Sequence, residues 1–108
     1  MIYVASPYTH EDPATMDHRY NDIAARCAGW AQQGWPVYSP IAHWHPIAKK
    51  WELPRDHKYW LFHNSEMIQL CREMWVVTTP GWKESEGMEA DRKLARVYHK
   101  KVKVIHVP

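Results

Sequence analysis

At 108 residues the chain has room for a single domain with one modest core, spanning residues 1–108. A formal charge of +2, with lysines and arginines scattered apart from Lys100, Lys101 and Lys103, excludes a surface built for polymeric nucleic acid. No apolar run approaches the ~20 residues of a membrane span, so no membrane partner is expected.

Ile2–Ala5 is a short apolar run without alternation, which reads as a strand buried on both faces. It opens the chain without a basic leader, and Cys27 and Cys71 sit on apolar helix faces as free thiols. A cytoplasmic setting is expected. Ser6, Tyr8 and Thr9 follow the strand at its carboxyl end, the ligand side of a parallel sheet. Pro7-Tyr8 reads equally as a rigid turn carrying an aromatic lid.

Asp12-Pro13 is a helix start, a capping side chain followed by proline at the first helical position. Met16, Tyr20, Ile23, Cys27 and Trp30 then recur at spacings of three and four, and Gly34 closes the helix. Arg19 lies near enough the helix start to reach a site. Trp35–Ser39 is a second strand, and Pro36 near its start argues for an edge position or for a first residue without a ladder donor. Residues 41–55 read as a loop with room for a short helical turn, carrying prolines and large rings at His43, Trp44, His45 and Trp51. His43 and His45 lack the partners of a metal site, so no metal is expected.

Residues 56–72 read as a helix with Trp60, Leu61, Asn64, Met67, Ile68 and Cys71 on one broad face; Asn64 is the odd polar member. Residues 74–79 form a third strand, and residues 86–99 a helix with Ala90, Leu94 and Val97 or Tyr98 inward. Residues 102–107 form the last strand. Strands alternating with helices define an α/β fold with a parallel sheet.

The stretch from Met74 to Leu94 is strand, loop, helix, and its loop is where such folds bind ligands. Ser85 can cap the helix or hold a phosphate or sugar hydroxyl. Gly87 lets a backbone or a ligand come close. Glu89 is either a nucleophilic carboxylate, or a stabiliser of an oxocarbenium-like centre, or an ordinary first-turn glutamate. Glycosyl transfer also needs a proton donor. Asp56 at its helix start is one candidate, with an N-cap as its plain reading, and His43 and His45 have the right natural acidity.

Several stretches, covering nearly the whole chain in order, resemble the nucleoside 2-deoxyribosyltransferase-like superfamily, and more closely a small bacterial and phage branch, DUF1937-like. They are Ile2-Tyr3-Val4-Ala5-Ser6-Pro7-Tyr8, Arg19, Ser39-Pro40-Ile41, Asp56 with Trp60, and Gly81-Trp82-Lys83-Glu84-Ser85-Glu86-Gly87-Met88-Glu89. The resemblance implies a flavodoxin-like three-layer sandwich with a four- or five-stranded parallel sheet. It also implies cleavage or exchange of the N-glycosidic bond of a (deoxy)nucleoside or nucleoside 5′-monophosphate, without a cofactor. Glu89 stands in the nucleophile's position, Ser85 and Gly87 near the sugar or its phosphate, and Tyr8 near the base. The family's acid has no clear match, since Asn64, Ser65 and Glu66 occupy its region and Asp56 lies farther back. Ser6, Arg19, His43 and Trp82 complete the expected substrate contacts. Seven tryptophans and six tyrosines on so small a core fit a homodimer or larger assembly. A non-catalytic nucleoside- or nucleotide-binding module of the same fold is the alternative reading, and an interaction protein is the third.

Overall fold

The short apolar runs meet in one sheet. The computed structural model describes residues 1–107. Its strands are β1 (Ile2–Ala5), β2 (Val37–Tyr38), β3 (Glu73–Val77) and β4 (Lys101–Ile105), and its helices are α1 (Pro13–Gln32), α2 (Pro40–Lys50), α3 (His57–Leu70) and α4 (Glu86–Val97). The strands lie in the order β2-β1-β3-β4, and every neighbouring pair is parallel. Ile2 pairs with Val37 on one side and Glu73 on the other, so β1 is central, as its unalternating apolar run implies, and β2 takes the edge position, one of the two that Pro36 allows.

Side chains alternate across the sheet and give each helical layer its own core. Tyr3, Ala5, Met74 and Val76 point to one face, where Ile68 of α3 and Met88 and Ala95 of α4 close over them. Val4 and Val77 point to the other face, against Ile23 of α1 and Ile41 of α2. This is the flavodoxin-like three-layer sandwich, with four strands. Burying one such aliphatic side chain is worth about 1.5–3 kcal/mol, and β1 and β3 do so on both faces.

Local chemistry sets the helix ends. Asp12 accepts the Ala14 N–H at 3.0 Å, and Pro13 follows it. Gly34, at φ 89°, carries the chain away from α1 in a conformation that other residues resist. Ser39, Asp56 and Ser85 cap α2, α3 and α4 in the same manner as Asp12 caps α1.

Three expectations are corrected. Residues 40–50 are helical rather than loop. Ser39-Pro40 is a cap followed by a first-turn proline, and Ile41, Trp44, His45 and Ala48 follow helical spacing. Pro46 removes one interior donor, and the helix persists because Ile41, His45 and Ala48 are buried. In α4 the inward residues are Met88, Asp91 and Ala95, with Leu94 and Tyr98 partly buried, whereas Val97 is exposed. The stripe is shifted from the one expected, because a buried carboxyl residue belongs to it. β2 is also shorter than expected, since Pro36 has no ladder N–H to give and contributes only its carbonyl, which accepts from Ile2 at 2.8 Å.

Candidate functional site

From β1 the chain first builds β2 on one side and then crosses to β3 on the other. The carboxyl ends of β1 and β3 therefore diverge, and a crevice opens between the loops that leave them. It is a cleft of about 310 Å³. Ser6, Tyr8 and Thr9 border it after β1. Ile41, Trp44 and His45 of α2 form a second wall, and Arg55, Asp56, Trp60 and Asn64 a third. The start of α4, from Glu84 to Met88, and Asp91 complete it.

The most unusual group in the cleft is Asp91. It sits one turn inside α4, on the face that packs against the sheet, and is only 7% exposed. The Tyr3 hydroxyl, rising from β1, donates to its Oδ2 at 2.9 Å. Burial pushes the Asp91 carboxyl up to about 7, although the Tyr3 hydroxyl and the Asn64 side chain pull the other way. A carboxyl group near 7 exists in both protonation states under neutral conditions, which suits it to reaction or to proton sharing. The Tyr3 pKa in turn is held well above its ordinary value by burial and by the Asp91 charge, so the phenol stays a hydrogen-bond donor.

Polar atoms of residues that line the cleft are left without protein partners. Ser6 Oγ, Asn64 Oδ1 and one Arg55 guanidinium nitrogen, Nη1, are all buried and unpaired, and all three residues border the cleft. Buried polar groups are normally satisfied, so three around one crevice mark a surface shaped to receive polar atoms. The rings of Trp44 and Trp60 lie 4.8 Å apart, tilted by 35°, and offer an apolar wall beside them.

A second polar chain starts from Tyr8 and His45, which also line the cleft. The Tyr8 hydroxyl lies 2.6 Å from His45 Nδ1, and His45 Nε2 lies 2.9 Å from Asp17 Oδ1. Lys49 donates to the other Asp17 oxygen at 2.9 Å. Burial lowers the His45 pKa, and Asp17 works against that shift. The Asp17 carboxyl is itself held below its ordinary range, first by the Lys49 hydrogen bond.

Ser6, Tyr8, Asp56, Ser85 and Gly87, all expected from the sequence, meet in this cleft. Asp56 accepts the Tyr59 N–H at 3.3 Å, and Ser85 Oγ accepts the Met88 N–H at 3.2 Å, so both serve as helix caps at its rim. A Cβ on Gly87 would stand 3.1 Å from His57 Cβ, so the glycine lets α4 approach α3.

Four expected residues lie elsewhere. Glu89 points away from the cleft, with its side chain 67% exposed and 3.4 Å from Lys93 one helical turn on. It lies next to the inward stripe of Met88 and Asp91 rather than on it. Arg19 donates to the carbonyl oxygens of Tyr8 and Thr9 at 3.3 and 3.1 Å and packs under Gly81. It braces the two ligand-side loops. His43 is exposed and borders a separate groove with Phe62 and His63. Trp82 packs on the core of the α3–α4 face. Sequence reading missed Asp91, Tyr3 and Arg55. The signal for Asp91 was its place in the Met88, Ala95 and Tyr98 spacing.

Among the described residues no three His, Cys, Asp or Glu side chains gather to hold a metal ion. No helix among them is long and apolar enough to cross a membrane.

Fold and site together define an α/β protein with a buried carboxyl group in a polar and aromatic cleft at the switch point of its sheet. Over residues 1–107 the chain matches the family described as a domain of unknown function, DUF1937, and it belongs to that family. No curated protein matches it.

Proposed function

We propose that this cleft binds a (deoxy)nucleoside or its 5′-monophosphate and cleaves or transfers its N-glycosidic bond, as the resemblance to the nucleoside 2-deoxyribosyltransferase-like superfamily implies. The observation that carries the reading is the buried Asp91 carboxyl group, held by Tyr3 inside a cleft walled by rings. In this reading Asp91, not Glu89, attacks C1′. The ionised form is the reactive one, and with a pKa of about 7 it is present at neutral pH. Arg55 Nη1 and Ser6 Oγ supply hydrogen bonds to sugar hydroxyls or to a phosphate, and Trp44 and Trp60 give the base a ring surface. The substrate is a small molecule, no cofactor takes part, and a homodimer or larger assembly in the cytoplasm remains part of the proposal.

The second reading, a binding module without turnover, is favoured by Asn64. It is an amide inside the cleft, unable to give a proton to a leaving base, and half of Asp91 is protonated near neutral pH. The two readings separate when the protein is incubated with a panel of deoxynucleosides and their monophosphates and free base is followed by chromatography. Release that disappears in Asp91→Asn supports the enzyme. Saturable binding by calorimetry without release supports the module. Neither binding nor release from any member of the panel removes both.

A further inference from the structure

We propose that Tyr8 is the proton donor to the leaving base, recharged through His45 and held in register by Asp17. This rests on the bond-cleaving reading of the cleft and supplies the acid which that reading lacks.

The geometry is that of a relay. Tyr8 Oη, His45 and Asp17 are joined by contacts of 2.6 and 2.9 Å, although they lie far apart in sequence. Tyr8 and His45 both border the cleft, while Asp17 lies behind them on α1. The His45 ring is 4% exposed and stacks on Tyr20 at 4.6 Å, with the Tyr8 ring edge-on at 5.4 Å. Rings packed on two sides fix the imidazole plane, so that one nitrogen faces Tyr8 and the other Asp17. A lone buried histidine needs only one partner to be satisfied, whereas this one is aligned between a phenol that reaches the cleft and a carboxylate that does not.

Asp17, as a carboxylate, accepts from His45 Nε2–H, which leaves Nδ1 to face Tyr8. In neutral His45, Nδ1 accepts the Tyr8 O–H. When His45 is protonated, Nδ1–H donates to the Tyr8 oxygen, and the phenol hydrogen is free to turn into the cleft. The groups facing the imidazole are Asp17 and Tyr20 from α1, Tyr8 from the loop after β1, Lys49 from α2, and Arg55 from the segment before α3. Asp17 alone among them favours the protonated form; Lys49 and Arg55 oppose it.

The step balances. An Asp91 oxygen forms a bond to C1′ as the C1′–N bond breaks and its electron pair goes to the base nitrogen. Tyr8 Oη–H gives its proton to the base, and Nδ1–H of His45 restores the phenol. The water that later releases the sugar loses its proton to Tyr8, and Tyr8 passes its own to His45. One proton leaves the relay and one returns for each bond hydrolysed.

The test is the dependence on the leaving group. A purine deoxynucleoside methylated at N7 carries a positive charge, and its base leaves neutral without a proton from the protein. Release of base in a single turnover, with protein in excess, reads this first step alone. With 2′-deoxyguanosine, Tyr8→Phe is expected to slow release about 100-fold, the scale of a lost general acid. With the N7-methylated analogue the same variant should stay within about threefold of the wild type, since no proton transfer is needed. Asp17→Asn, changed on a partly exposed side chain, should slow only the unmethylated substrate, which a merely structural role for Asp17 would not produce. It also keeps the test decisive if Tyr8→Phe disturbs folding. Equal losses on both substrates, or no loss on either, overturn the relay while leaving the bond-cleaving reading in place. A wild type that releases base from no member of the deoxynucleoside and monophosphate panel ends that reading and the relay with it.

Discussion

Replacing Asp91 by Asn should remove a pH dependence of stability that this one carboxyl group imposes. Asparagine keeps the size of the side chain and leaves the Tyr3 hydroxyl an oxygen to donate to. The Asp91 carboxyl rises from an ordinary value of 3.8 to about 7 on folding. Its folded-state pKa is raised, so its contribution to stability is fully present below the unfolded value and is lost as pH rises through the folded one. Linkage between those two values gives a loss of about 2–3 kcal/mol between about pH 5 and about pH 8. For a domain of this size that corresponds to a relative shift of about 10 °C in melting temperature. Urea melts of the wild type and of Asp91→Asn across this range isolate the effect, because other titrating groups far from the site cancel in the difference. The variant should gain on the wild type steadily as pH rises. A difference that stays constant from about pH 5 to about pH 8 would show that Asp91 titrates in the folded protein as it does in the open chain.

Further consequences are separately measurable. Glu89→Gln removes only an exposed charge paired with Lys93, so base release and melting temperature should match the wild type; a loss of about 100-fold in turnover would return Glu89 to the site. Gly81→Ala forces a side chain into a φ of 96° and against the Arg19 guanidinium; calorimetry should show a loss of at least about 1 kcal/mol, and an unchanged melt would show that the two loops are not braced there. Ser39→Ala removes the acceptor for the Ala42 N–H at 3.1 Å and should cost about 1 kcal/mol, measured by urea melts, whereas residues 40–50 as loop would lose little. Phe62 at 71% and Leu70 at 77% exposure leave apolar surface on α3, and sedimentation at ~100 µM should show a dimer or larger species; a monomer would remove assembly from the proposal.

The order of strands and helices could be read from the chain because each run carries its own signal. Ile2–Ala5 is too short and too apolar for anything but a central strand, and Asp12-Pro13, Asp56 and Ser85 are caps whose effect is local. The loop reading of residues 41–55 failed because Pro46 and Pro54 outweighed the spacing of Ile41, Trp44, His45 and Ala48. Proline disfavours a helix by removing one bond, but burial of that face outweighs the loss, and burial is not visible until α1 and the sheet are in place.

The position of the cleft was legible for the same reason: in a parallel sheet the ligand end follows from strand direction, and Ser6, Tyr8, Ser85 and Gly87 all follow strands. Which acidic residue faces inward was not legible with equal ease. Glu89 and Asp91 are two positions apart, and a helix turns them to different sides, so a small error in phase exchanges solvent for core. The layered α/β fold, the caps and the loops that border the cleft were legible in the chain, because those depend on neighbours along it. That Tyr3 meets Asp91 and that Tyr8, His45 and Asp17 align follows from the packed layers alone, because those contacts join residues 88, 37 and 28 positions apart, and the burial that shifts their acidity exists only once the layers have closed.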